Sequence, residues 1–338
     1  MNKHVIPVWA SVVAVTALAA MGLAFCWHCS ALLCPPENIM EHWHFKRQLL
    51  WNIVGIAALG MAAITGWSRW IKAAPFIFGG WASLWLVAMR QPLVNGSCSF
   101  VHIGPVLLNV WPLFPVALAL LAAWISRRYG VNGRWLIIST CAVAISAIAL
   151  WTISDPDRMA RLGAVIDGGA HATASAGACA RAFAQRQSCA VLAHSRWFTA
   201  GDIEMLRALP DALTHSMPAA SAVVFGKWFI AVALTIFGIL ALSLGCLWRS
   251  VADKAKRAFT LFFGLGILAP ALYGSCACIG LVPMLHTSIP LVSYGGTTVL
   301  AAWIGVGILV SSTREENGSV WSPADYIVHK RHDDARPS

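Results

Sequence analysis

The sequence predicts an all-α polytopic membrane protein of about eight transmembrane helices with one large extracytoplasmic loop. Three observations carry that expectation. Only 11% of the 338 residues are charged and 58% are hydrophobic, against roughly 25% charged in soluble domains, and mean hydropathy is +0.69. The apolar runs are long and continuous rather than alternating, which suits helices and not a barrel. The 17 tryptophans suit aromatic belts at the two membrane surfaces. A net charge of +10 raises the question of a nucleic-acid partner. The positive residues fall in short clusters between apolar runs, so membrane topology accounts for them and nucleic acid is set aside.

Taken in order, span one runs from about Val5 to Trp27. Lys3 precedes it in the manner of a signal peptide, but the run exceeds a signal core and lacks a convincing small-residue cleavage site, so it reads as a retained helix. Span two covers about Leu49 to Gly66, and Trp67 to Lys72 form a short basic turn. Span three covers about Ala74 to Arg90. Span four covers about Gly104 to Ile125, interrupted by Pro112 and Pro115. A second basic turn opens at Ser126-Arg127-Arg128, and span five covers about Trp135 to Ile153. Residues 154–218 are the long polar region, with six acids and six arginines. Span six runs from about Ala219 to Trp248, span seven from about Ala258 to Leu281, and span eight from about Ile289 to Ser311. Residues 1–311 thus form the membrane domain, and the polar tail 312–338 is expected to be mobile.

Eight spans put both termini on one side. The turns after spans two, four and six carry nine Lys/Arg: Arg69, Lys72, Arg127, Arg128, Arg134, Arg249, Lys254, Lys256 and Arg257. Short loops on the other face carry Lys46 and Arg47, with Arg90 at an edge. The bias makes the termini cytoplasmic and places 154–218 outside. No internal repeat of the kind transporters show is visible.

One stretch stands out, Pro283 to Thr298, reading PMLHTSIPLVSYGGTT. Gly295-Gly296 lets backbones approach closely, and the hydroxyls of Ser293, Tyr294 and Thr297 need partners in lipid. Gly280-Leu281-Val282-Pro283 followed by Ile289 to Thr297 resembles the G-L-x-P … L-P-x-x-S-Y-G-G-S pattern of the SEDS family (shape, elongation, division and sporulation), which includes FtsW and RodA. Phe45 with Arg47-Gln48-Leu49-Leu50-Trp51 resembles that family's R-Q-L-x-W opening of span two. Val94-Asn95-Gly96 with Ile103-Gly104-Pro105 resembles its V-N-G segment. Arg161 with Ile166-Asp167 resembles the head of its outer loop. Gln187-Ser188 and then Leu209-Pro210-Asp211-Ala212-Leu213-Thr214 resemble its Q-S and L-P-E-A-H-T-D-F.

The resemblance implies an FtsW/RodA-like protein of the bacterial inner membrane that polymerises lipid II, an undecaprenyl-pyrophosphate disaccharide, beside a class B penicillin-binding protein. It implies a divalent cation as cofactor if the chain is active. The family's usual ten spans are eight here, the missing pair falling between spans four and five. His215 stands where the family has its catalytic aspartate, and Asp211 occupies the place of the preceding glutamate. The family's Q-P-S-E-x-x-K reads Asn109 to Pro115, with prolines in both charged places, and its basic pair after V-N-G is Cys98-Ser99.

Transglycosylation needs a base for the acceptor hydroxyl and cations for the leaving pyrophosphate. Asp211 and His215 are the candidate bases. A neutral imidazole can take a proton, but it is a poor ligand for a hard cation. On a helix Asp211 would share a face with His215, or it would serve only as an N-cap near Pro210. Arg158 and Arg161 suit bidentate pyrophosphate binding or, equally, interfacial anchoring. Ser293 and Tyr294 suit a substrate groove or, in the plainer reading, interhelical hydrogen bonding. Pro290, Gly295, Gly296, Asn95 and Gly96 read as structural motif residues. No metal site is assigned: Cys26-Trp27-His28-Cys29 is one isolated CxxC, and His28, His42 and His44 read as an interfacial belt. Outer cysteines admit disulfides, with Cys179–Cys189 the local pair, while Cys276 and Cys278 read as packing residues. Two other readings stay open: a catalytically inactive relative that scaffolds a penicillin-binding protein, and a transporter of lipid-linked precursors.

Overall fold

A computed structural model describes residues 5–33, 42–91, 100–103, 106–131, 176–282 and 288–317. Among the described residues six helices are long and apolar enough to cross a membrane: α1 (Val5–Leu33), α2 (Trp43–Ile64), α3 (Trp67–Ala88), α8 (Lys227–Ser250), α9 (Lys254–Cys278) and α10 (Gly296–Asn317). Between them lie α4 (Phe114–Tyr129), α5 (Ala176–His194), α6 (Ile203–Arg207) and α7 (Met217–Val224). Spans one, two, three, seven and eight therefore each have a helix. The predicted span five lies outside the described residues, as do Asn95, Gly96, Arg158 and Arg161.

The fold is mostly helical, as expected, but several span boundaries need correction. One short hairpin interrupts the helices, where β1 (Phe100–Ile103) pairs antiparallel with β2 (Val106–Asn109), Phe100 opposite Asn109. The first part of the predicted span four is consequently strand. Its helix, α4, starts only at Phe114, where Pro112 and Pro115 sit in the first turns that tolerate a missing N–H. Span six is broken. Gly226 separates α7 from α8 at φ 94°, and a Cβ there would overlap the Trp197 carbonyl. Such a backbone is open to glycine at little steric cost. The predicted start of span eight is also too early, since 289–295 form turns and α10 begins at Gly296. At its far end α10 continues to Asn317, past the predicted boundary at Ser311.

Helix α2 shows the inversion expected of a membrane-spanning helix. In α2 the buried residues are Gln48, Asn52, Gly55, Ala58 and Ala62, spaced three and four apart on one face. The other face presents Leu50, Ile53, Ile56, Met61 and Ile64, all exposed. Polar and small residues turn inward and apolar ones outward, because lipid does not drive apolar groups into the core. α10 packs along the buried face of α2 more extensively than any other helix pair does among the described residues. A Cβ on Gly296 would overlap the Trp51 indole, and one on Gly307 would come 2.6 Å from the Leu59 carbonyl oxygen. At the far end the Ser311 hydroxyl donates to the Thr65 carbonyl at 2.8 Å. The pairs 51/296, 59/307 and 65/311 advance together, so α2 and α10 run parallel. Around this pair, α9 packs on α4 and α1 on α8.

Candidate functional site

The site is built where the start of α2 meets the turns before α10. Residues 289–293 close on themselves: the Ser293 N–H and hydroxyl both donate to the Ile289 carbonyl, at 3.1 and 2.6 Å. Leu291 sits at the tip with φ 69°, a left-handed conformation that costs a branched residue strain and persists where packing enforces it. Leu291 is 1% exposed. Gln48, fully buried, brackets the following residues. Its Nε2 donates to the Ser293 carbonyl at 3.4 Å, and its Oε1 accepts from the Gly295 N–H at 3.2 Å. Asn52, one turn on, donates to the Gln48 carbonyl at 2.8 Å and accepts from the Trp303 indole at 3.2 Å.

A second turn docks on the first. The Tyr294 N–H donates to the Leu213 carbonyl at 2.9 Å. Residues 209–216 are a run of turns, not a helix. Asp211 has φ 51°, which an Asp tolerates better than most residues. Its carbonyl accepts from the N–H groups of Thr214 at 2.9 Å and Ser216 at 3.3 Å. The Ser216 hydroxyl closes the turn on the Pro210 carbonyl at 2.8 Å. The expected shared helix face of Asp211 and His215 therefore does not exist. Nor does the Asp211 side chain cap a helix: its carbonyl, not its carboxylate, organises the segment, and Ser216 is the residue that precedes α7. His215 is half-buried, and its carbonyl accepts from the Cys278 thiol at 3.5 Å.

Charge at this end of the molecule is sparse among the described residues. Asp202 caps α6 through the Glu204 N–H at 3.1 Å, and Glu204 pairs with Arg207 at 3.7 Å. Asp211 is exposed, and no hydrogen bond or ion pair of its carboxylate is seen among the described residues. Arg47 lies over the Trp43 ring, 5.7 Å from its centroid. His44 meets Tyr294 edge to face at 4.9 Å, and Trp27 stacks on His42 at 3.9 Å. Burial pushes the Tyr294 hydroxyl above the usual phenol range, while the nearby Arg47 guanidinium opposes that shift. Arg47 is placed at the site by its neighbours on α2: His44 meets Tyr294, and Gln48 holds the backbone on both sides of it.

The structure brings Asp211, His215, Ser293, Tyr294, Pro290, Gly295 and Gly296 to one end of the bundle. Sequence reasoning had not assigned Arg47, His44 or Gln48 to the site. The signal was present in the Arg47-Gln48-Leu49-Leu50-Trp51 stretch, which had been read only as the start of a span. As to a divalent cation, no three His, Cys, Asp or Glu side chains converge as a cage among the described residues. Asp211 offers a single carboxylate, so the described donors do not fit a resident cation and no step is routed through one.

The sequence profile of the FtsW/RodA/SpoVE family, described as cell cycle proteins, matches residues 130–318, more than half of the chain. The chain belongs to the FtsW/RodA/SpoVE family. A relative named probable peptidoglycan glycosyltransferase FtsW, from Hahella chejuensis, is 24% identical over 359 residues, covering 87% of each chain. Another of that name, from Halomonas elongata, is 28% identical over 190 residues, covering 53% of this chain and 44% of its own. Among solved structures, a chain of a peptidoglycan synthase complex aligns with a TM-score of 0.67 at 15% identity, covering 92% of this chain and 98% of that one. The Thermus thermophilus rod shape determining protein RodA aligns with a TM-score of 0.62 at 18% identity, covering 90% and 96%. The fold of these two structures is the fold of this chain, a multi-pass helical membrane protein.

Proposed function

We propose that this FtsW/RodA-family chain serves peptidoglycan synthesis in the bacterial inner membrane, binding lipid II and a class B penicillin-binding protein in cell division or elongation. Both termini are cytoplasmic in this reading, and the end of the bundle that holds Arg47, Asp211 and Tyr294 faces outward. The observation that carries it is the exposed Asp211 on a turn fastened to Tyr294, whose flanking backbone is held by Gln48, the chain neighbour of Arg47. Asp211 takes the proton from the acceptor sugar hydroxyl, the oxygen attacks the anomeric carbon, and the pyrophosphate leaves toward a guanidinium. Arg47 suits that last role as a bidentate donor. Arg158 and Arg161 would add to it from the outer loop. His215 is the alternative base.

One observation favours a second reading. On the family resemblance His215 takes the place of the catalytic aspartate, and in this second reading the chain keeps the fold as a scaffold for the penicillin-binding partner without the chemistry. The two readings separate in a lipid II polymerisation assay with purified protein and partner. Glycan product from the wild type, absent with Asp211→Asn or His215→Ala, supports the enzyme and removes the scaffold. No product from the wild type, with partner binding intact, removes the enzyme.

A further inference from the structure

The outer helix α5 and the end of α9 meet through sulfur. The Cys189 thiol donates to the Cys278 carbonyl at 3.3 Å, and the Cys278 thiol donates to the His215 carbonyl at 3.5 Å. The carbonyl geometry puts the Cys189 sulfur within about 6 Å of the Cys278 Cα, and a disulfide requires the Cys278 side chain to turn from the His215 carbonyl toward it. One turn before Cys189, Gln185 Nε2 donates to the carbonyls of Ala277 at 3.1 Å and Val282 at 2.7 Å. Residues 185 and 189 lie on one face of α5, so this face is already held against the chain on both sides of Cys278. Gly280, at φ 82°, leaves room for the Cys189 sulfur, since a Cβ there would stand 3.2 Å from it.

We propose that Cys189 and Cys278 are disulfide partners that join α5 covalently to α9 when the outer face is oxidised. The expected local pair was Cys179–Cys189, and Cys278 had been read as a packing residue. Cys278 is fully buried while Cys189 is partly exposed, which sets the order of events. The Cys189 thiolate attacks a sulfur of the oxidant's disulfide, forming a mixed disulfide and releasing one oxidant thiolate. The Cys278 thiolate then attacks the Cys189 sulfur and expels the second. The protein loses two protons and two electrons, and an extracytoplasmic disulfide oxidant is reduced to its dithiol. Burial pushes the Cys189 thiol up, so less thiolate is present at neutral pH and the exchange is slowed. The bond also removes the S–H that donates to His215, so oxidation reaches the 209–216 turn.

The test uses the full chain in detergent. It is oxidised with diamide, whose N=N bond accepts the two electrons and two protons, then unfolded, alkylated and digested for mass spectrometry. The expected result is a Cys189–Cys278 linked peptide that is absent from Cys189→Ser and Cys278→Ser. Oxidised wild type should also melt several degrees higher than reduced, a difference that Cys189→Ser loses. Both cysteines alkylated after diamide, or Cys189 linked to another cysteine, overturns the proposal. Chemical oxidation tests the pairing whatever the chain's orientation, so its failure is distinct from failure of the functional reading.

Discussion

The carboxamide of Gln48 is paired with the backbone around Ser293, 245 positions away in sequence, at 3.4 Å to the Ser293 carbonyl and 3.2 Å from the Gly295 N–H. It fastens the first turn of α2 to the turns that lead into α10. Gln48→Leu leaves that carbonyl and N–H buried without partners, at a cost of about 1–3 kcal/mol. Thermal unfolding in detergent should show a clear drop. Leu50→Ala, on the exposed face of α2, is the control, and an equal shift in the two variants would refute the role given to Gln48.

Gln48, Asn52 and Trp303 form one chain of hydrogen bonds. Groups in one network do not lose their contributions independently. Asn52→Ala and Trp303→Phe, which remove the two ends of the same side-chain bond, should together deviate from additivity by about 0.5–3 kcal/mol. Additive unfolding energies in a double-mutant cycle would show that the bonds act separately.

Gly296 meets the Trp51 indole where a Cβ would go, whereas Gly60, also on α2, has nothing within 4 Å. Gly296→Ala should therefore destabilise by about 1–3 kcal/mol through overpacking. Gly60→Ala should be neutral or gain up to about 1 kcal/mol from helix propensity. Reversal of that order in melting temperatures would contradict the close packing of α2 on α10.

The left-handed backbone at Asp211 separates its fold role from its chemical role. Asn suits φ 51° as well as Asp does, so Asp211→Asn should keep stability within about 0.5 kcal/mol yet abolish lipid II polymerisation. Asp211→Val should cost about 1–3 kcal/mol of stability, because a branched residue is strained there. Full activity in a folded Asp211→Asn protein would remove Asp211 as the base.

Arg47→Ala should weaken binding of a lipid-linked pyrophosphate about tenfold or more, the scale of a lost charge-assisted hydrogen bond. Arg47→Lys should recover part of it, since the charge stays and the planar fork is lost. Titration of purified protein with lipid II reads this directly. Unchanged affinity in Arg47→Ala would place the pyrophosphate elsewhere, with Arg158 and Arg161 next in line.

The candidate site was half legible in the sequence. Ser293, Tyr294, Asp211 and His215 carry their signals in local residue patterns, and all four gather at one end of the bundle. Arg47 and Gln48 were visible only as span-opening residues. What makes them site residues is their contact with a segment some 245 positions away, and no local pattern encodes that pairing. The conformation at Asp211 escaped as well, because an L-P-D stretch permits a helix start or a left-handed turn equally. The choice fell to the contacts that Leu213 and His215 make with Tyr294 and Cys278.

By itself the sequence determined the membrane class, the order of the long apolar helices and the family pattern. The class and the helix order follow from composition and run length, which act on each segment separately whatever its neighbours do, and the family pattern rests on the resemblance of short motifs. The tertiary structure decided where helices start and stop, and which faces meet. Gly226 breaks span six because the Trp197 carbonyl occupies the space beside it. α10 waits until Gly296 because Gln48 holds the backbone of 293–295 in turns. In each case a hydrogen bond or a steric contact from a distant segment outweighs a local helical preference worth a fraction of a kcal/mol per residue.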